Sequence, residues 1–265
     1  MSATEAYLQK GWLRFAAEES IRDWAARAQR CAETATADPA HAKWLDCEGT
    51  WFIGVDALPN DPDGRLPSGP PLAGAALDFI RAHFGEIPAL HRGQLSVIYP
   101  GYPRPRRGES DAAFGYRCKR DGAHVDGIKI YGTARRRRVE EPHAWVLGLP
   151  LNKTSKDAAP LVVWEGSHLI MREAFRQAFE GIALEDWAHV DITDIYTAAR
   201  REVFETCKRV EVHANPGEAY LMHRLCLHGV APWADGASAT DGAGRMIAYF
   251  RPEMPNWQAH WLSDL

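Results

Sequence analysis

Between residues 4 and 37, apolar side chains recur at three- and four-residue steps (Leu13, Ala16, Ala17, Ile21, Trp24, Ala25, Ala28), with Glu18, Glu19, Arg22 and Asp23 between them. That spacing predicts one long amphipathic helix. Asp38-Pro39 stops it, because the residue before a proline is pushed out of the helical region. Residues 49–55, Gly-Thr-Trp-Phe-Ile-Gly-Val, read as a buried strand, and residues 56–71, dense in Pro, Gly, Asp and Asn, read as a long loop. A second helix is predicted over residues 72–84, ending at Gly85, where a glycine suits a left-handed cap.

From Gln94 the pattern changes. Short apolar runs at 95–99, 114–117, 144–149 and 161–164 predict strands, and so do 209–212, 219–222 and 246–250, with Asn215-Pro216-Gly217 as a turn between the first two of these. Residues 169–207 interrupt the series with helical periodicity, in the stretch beginning Met171-Arg172-Glu173-Ala174-Phe175 and again over 195–203, and read as an insertion. Many short strands with few helices among them predict a sandwich or barrel. With no internal repeat and no linker, the expectation is one mainly β domain over residues 1–265, its N-terminal helices (4–90) and the insertion packed outside the core.

Composition narrows the class. At 46% hydrophobic and 25% charged residues the 265-residue chain is ordinary for a globular protein, and its net charge of −4 argues against nucleic acid as a main partner. No apolar run approaches the roughly 20 residues of a membrane helix, and the first thirty residues lack a charged-then-apolar leader pattern. Five cysteines, odd in number and without a CxxC, suit neither a disulfide framework nor a zinc site, so a reducing cytoplasm is the expected setting. Arg135 to Arg138, with Arg104, Arg106, Arg107, Arg117, Lys119 and Arg120 upstream, form either a solvated face or a rim that attracts an anionic substrate.

The candidate chemistry lies in Ala123-His124-Val125-Asp126-Gly127. Side chains two apart on a strand share a face, so His124 and Asp126 can converge. A histidine from a distant strand, His228 in Leu227-His228-Gly229, would complete two imidazoles and a carboxylate, a set that holds non-haem Fe(II) and leaves positions open. His223 is five residues from His228, an odd offset that turns it to the opposite face of a regular strand.

Taken in order, the motifs resemble the phytanoyl-CoA dioxygenase-like branch of the Fe(II)/2-oxoglutarate-dependent oxygenases. The resemblance runs through Gly11-Trp12-Leu13-Arg14-Phe15, His124-Val125-Asp126, the stretch from Trp145 to Leu151, the stretch from Pro160 to His168, Pro216-Gly217-Glu218, Leu221-Met222-His223, Leu227-His228-Gly229 and Arg245. It implies a double-stranded β-helix (jelly-roll, cupin-like) core with flanking helices. It also implies iron ligation by His124, Asp126 and His228, anchoring of the far carboxylate of 2-oxoglutarate by Arg245, and a cosubstrate pocket lined by Trp145. The implied activity is O2-dependent hydroxylation or other oxidation of a C–H bond in a small molecule, with succinate and CO2 as coproducts. A halogenating variant would lack the carboxylate that Asp126 provides.

The sequence departs from the family in three places. Arg245 stands 17 residues after His228, longer than usual, which residues 235–244 account for as a loop insertion and which leaves Arg251, on the same strand face, as a second anchor candidate. Ala158-Ala159 replaces the usual Asn-Gly, and Glu165 replaces a proline. Two other classes compete with the oxygenase: a jelly-roll binding protein without turnover, and a non-redox cupin-like metalloenzyme. Arg245 discriminates, since it has a role only if 2-oxoglutarate binds.

Overall fold

A computed structural model describes residues 1–240 and 244–263; residues 241–243, within the anticipated 235–244 loop, lie outside the described residues. Helix α1 (Ala3–Lys10) opens on a reciprocal cap in which Ser2 and Glu5 each accept from the other's backbone N–H, and closes at Gly11 with φ +81°. The predicted single helix over 4–37 is therefore wrong at its start. Gly11 adopts the left-handed conformation and ends α1, after which β1 (Trp12–Phe15) pairs with β10 (Ala219–His223). Helix α2 (Glu19–Ala37) buries Ile21, Trp24, Ala25, Ala28, Ala32 and Ala35, which extends the stripe read from the sequence.

Strands β2 (Leu45–Asp46), β3 (Trp51–Gly54), β4 (Gln94–Ile98), β7 (Trp145–Pro150) and β12 (Arg245–Phe250) join β1 and β10 in a seven-stranded antiparallel sheet of order β1-β10-β7-β12-β4-β3-β2. A three-stranded sheet, β11 (His228–Val230), β8 (Leu161–Glu165) and β9 (Lys208–Val212), faces it, and a hairpin of β5 (Ile128–Tyr131) and β6 (Arg136–Val139) stands apart. The two facing sheets form the jelly-roll core.

Strand alternation sorts the side chains into three apolar layers. Trp145, Leu147 and Leu149 on β7, with Met246, Ala248 and Phe250 on β12, pack outward against α2 and α3 (Ala75–Phe84). Their neighbours Val146 and Ile247 turn inward against Leu161, Val163, Tyr220 and Met222 between the sheets. On the far side Val162 and Trp164 meet α5 (Ser167–Phe179) and α6 (Thr193–Thr206), the helices of the anticipated insertion. Full burial of each large apolar side chain contributes about 1.5–3 kcal/mol, so Ile21 and Trp24, both nearly inaccessible, fix α2 to the sheet.

One predicted strand is a helix. Residues 114–117 lie in α4 (Asp111–Lys119), whose cap Ser110 accepts from the Ala113 N–H at 3.3 Å. Four residues, Phe114-Gly115-Tyr116-Arg117, are too short to show a period that separates the two structures, and the capping Ser110 is the signal that decides it. No helix among the described residues is long and apolar enough to cross a membrane.

Candidate metal centre

One donor atom from each of His124, Asp126 and His228 lies within 4.8 Å of the others, the one such group of three among the described residues. His124 Nε2 is 3.3 Å from Asp126 Oδ1, and His228 Nε2 is 3.8 Å from Asp126 Oδ2. Ligands at right angles on a metal with bonds of about 2.1 Å stand about 3 Å apart, so these spacings fit one ion after small adjustments.

The histidines meet through the backbone. His124 N–H donates to His228 O at 2.8 Å, His228 N–H donates to His124 O at 3.0 Å, and the ring centroids are 4.7 Å apart. Asp126 arrives differently from the strand alternation expected. His124 makes only an isolated bridge, and Asp126 enters a turn at Gly127, φ +80°, where any Cβ would collide with the Glu141 carbonyl.

Both imidazoles have fixed tautomers. His124 Nδ1 lies 3.0 Å from the Gly122 carbonyl oxygen and His228 Nδ1 lies 2.9 Å from that of Cys226. A carbonyl only accepts, so each Nδ1 carries a proton, and in the neutral ring the lone pair is then on Nε2, the nitrogen nearer Asp126. Burial lowers the His228 pKa against the opposing pull of Asp126, which favours the neutral, ligating form. For Asp126 burial acts upward, but the charged and polar groups around it, the Arg251 guanidinium among them, hold the carboxyl well below its usual range. The donor set offers two imidazole Nε2 atoms and one carboxylate, which suits Fe(II).

Neighbouring elements hold the segment rigid. Arg209 on β9 grips Asp121 with two hydrogen bonds, 2.7 and 3.0 Å, Arg200 donates to the Ala123 carbonyl at 2.8 Å, and Tyr196 accepts from the Val125 N–H at 3.1 Å. Over the donors opens a cavity of about 460 Å³. The His124 side chain is 47% exposed to it, against 13% for Asp126 and 10% for His228, so one side of the donor set stays accessible.

Arg245 lies on the inward face of β12 with Ile247 and Tyr249. Its Nη1 is buried with no partner, while the side chain reaches Tyr220, whose hydroxyl donates to Tyr249 at 2.8 Å. Arg251, the second candidate, sits instead at the donor set: its Nη1 is 3.7 Å from Asp126 Oδ1 and donates to His143 Nε2 at 3.4 Å. Arg251 lines the cavity over the donors, whereas neither Arg245 nor Trp145 is among the lining residues. Trp145 is buried on the outer face of β7 beneath the helices, and Val146 lines the cavity in its place.

His223 lies apart from the donors, its Nδ1 accepting from the Leu225 N–H at 3.0 Å and its ring 4.8 Å from that of His168. Cys226 is a buried packing residue whose thiol burial pushes up to about 12. Two residues beside the donors were given no functional role from the sequence, His143 being read as an ordinary histidine. His143 is held by burial to about 4 and accepts from Arg251; Tyr196 comes from the insertion. Neither carries a sequence signal, because their positions depend on which elements pack together.

No protein-family model matches the chain, and no curated protein does. Solved structures are similar to it in fold. AviO1 from Streptomyces viridochromogenes Tue57 matches at 15% identity and a TM-score of 0.51, over 96% of this chain and 96% of that one. The epimerase SnoN in complex with Fe3+, alpha ketoglutarate and nogalamycin RO matches at 15% identity and 0.49, over 99% and 88%. EctD from S. alaskensis with 2-oxoglutarate and 5-hydroxyectoine matches at 16% identity and 0.47, over 95% and 75%.

Proposed function

We propose that residues 1–265 act as one Fe(II)/2-oxoglutarate-dependent dioxygenase domain of the phytanoyl-CoA dioxygenase-like family, oxidising a C–H bond of a small molecule in the cytoplasm. His124, Asp126 and His228 hold the metal and Arg245 holds the far carboxylate of 2-oxoglutarate. The observation that carries this reading is the pairing of an Nε2-presenting donor triad with a buried guanidinium nitrogen that has no partner inside the same barrel. A buried guanidinium nitrogen without a partner is costly unless an acceptor meets it. A jelly roll that only binds a ligand needs no such group, and neither does a non-redox metal site.

When bound, Fe(II) with 2-oxoglutarate and O2 supplies the oxidising power for C–H cleavage, with succinate and CO2 as coproducts. The chain's own residues bind, orient and exclude water. The carbonyls of Gly122 and Cys226 fix both imidazoles in the ligating tautomer. The Arg251 guanidinium, 3.7 Å from Asp126 Oδ1, favours the ionised carboxylate. Arg245 offers a planar fork to a carboxylate, and Val146 and Leu161 dry the cavity wall. Succinate release from 2-oxoglutarate in the presence of Fe(II) and O2, present in the wild type and lost in Asp126→Ala, tests the reading; no release in either overturns it.

A further inference from the structure

The wall of the cavity opposite the barrel interior is cationic in a way the metal and cosubstrate do not use. Three elements distant in sequence each deliver one arginine to it: Arg120 follows α4, Arg137 lies on β6 and Arg200 on α6. Neighbouring arginines already have carboxylate partners. Arg117 grips Glu109 at 2.9 and 2.8 Å, Arg106 lies 3.4 Å from Asp46, Arg136 lies 3.4 Å from Asp191 and Arg138 lies 2.6 Å from Glu140. The basic run 135–138 is thereby divided. Arg136 and Arg138 are paired to acids, and the intervening Arg137 lines the cavity.

Among the described residues Arg120, Arg137 and Arg200 have no carboxylate partner. Arg120 and Arg200 lie over the Phe204 ring, 4.3 and 5.6 Å from its centroid, and Arg200 Nε is buried with no hydrogen-bond partner. The two acids of the cavity are committed, Asp121 to Arg209 and Asp126 to the donor set. Beside the arginines the rim is apolar: Ile130 pairs with Arg137 across the β5–β6 hairpin and Tyr116 lies on α4 four residues before Arg120, and both, 46% and 54% exposed, line the cavity. Positive charge without counter-charge beside exposed apolar surface suits a ligand with an anionic head and an apolar body.

Resting on the oxygenase reading, we propose that the substrate is a small amphiphilic acid whose carboxylate or phosphate is held by Arg120, Arg137 and Arg200 while its apolar body lies along Tyr116 and Ile130. Forked guanidinium donors arriving from three elements can each meet an oxygen of the same group, and they fix the orientation of the body relative to His124.

The test titrates metal-free protein by calorimetry with three probes of similar body and different head: 3-phenylpropanoate, phenyl phosphate and phenethylammonium. The expected result is anion binding at least about tenfold tighter than that of the cation, weakened about fivefold or more in Arg137→Gln and in Arg200→Gln. Arg136→Gln, on the same strand but paired with Asp191, leaves it unchanged. Preference between the two anions identifies the head group. No anion binding, equal binding of the three heads, or undiminished anion binding in both variants overturns the proposal. Arg200 also supports the Ala123 carbonyl, so if Arg200→Gln fails to fold, Arg137→Gln alone decides. The Fe(II)/2-oxoglutarate complex is measured separately on the same proteins: its absence with anion binding retained sinks the oxygenase reading alone, and its presence with anion binding absent sinks only the substrate class.

Discussion

His124 and His228 exchange both of their backbone hydrogen bonds, at 2.8 and 3.0 Å. The ladder that joins them owes nothing to their side chains. Alanine at either position should therefore keep the local pairing and remove only the metal donor. His124→Ala, His228→Ala and Asp126→Ala are expected to remain folded by circular dichroism while divalent-metal affinity, measured anaerobically with Fe(II), falls more than about 100-fold. Retained affinity in any of the three would remove that residue from the donor set.

Gly127 sets the position of Asp126. Its φ of +80° and the closeness of the Glu141 carbonyl leave no room for a Cβ, so Gly127→Ala must shift the turn. The expected outcome is a stability loss on the order of 1–3 kcal/mol with a matching drop in metal affinity. A variant that melts and binds like the wild type would show that the turn does not position the carboxylate.

The two arginines at the ends of β12 have separable roles. Arg245→Ala should weaken 2-oxoglutarate binding by about 100-fold and leave Fe(II) binding nearly intact, since its unpartnered Nη1 lies within the barrel. Arg251→Ala should affect the metal first, because its guanidinium stands 3.7 Å from Asp126. Calorimetry of each ligand on both variants distinguishes them, and the reverse pattern would make Arg251 the anchor.

The candidate residues could be singled out in the sequence by their types and order, but not by strand alternation, since Asp126 joins His124 through the turn at Gly127. His124, Asp126, His228 and Arg245 were all read from spacing and resemblance, and the inward face shared by Arg245, Ile247 and Tyr249 follows from a period of two. What stayed hidden depends on packing. Trp145 and Val146 are adjacent apolar residues on one strand, and only the placement of helices on one side of the sheet decides which faces the cavity. The strand at Trp12 to Phe15 was absorbed into a helical pattern because its pairing partner, β10, lies some two hundred residues later. Arg120, Arg137 and Arg200 form a group only once α4, β6 and α6 surround one opening.

Acid should destabilise the fold through His168. Burial lowers its pKa to about 4, the Leu8 carbonyl opposes this, and Arg172 and Arg224 add to it. The unfolded value is about 6.5, so the folded state disfavours the proton: the stabilisation is complete above about pH 6.5 and is lost as pH falls toward 4, at on the order of 1 kcal/mol per pH unit. Denaturant titrations at pH 7, 6 and 5 should show this decline, with a shallower slope in His168→Gln. A flat profile would mean that the imidazole is accessible to protons in the native state.

The proposed oxygenase requires one barrel to hold Fe(II) on His124, Asp126 and His228 and 2-oxoglutarate on Arg245. Under anaerobic conditions, adding Fe(II) and 2-oxoglutarate to the metal-free protein should produce the weak visible metal-to-ligand charge-transfer band of a chelated complex. That band should be absent in Asp126→Ala and His228→Ala and should require much more 2-oxoglutarate in Arg245→Ala. No band in the wild type, or one unchanged in the two ligand variants, would contradict the assignment.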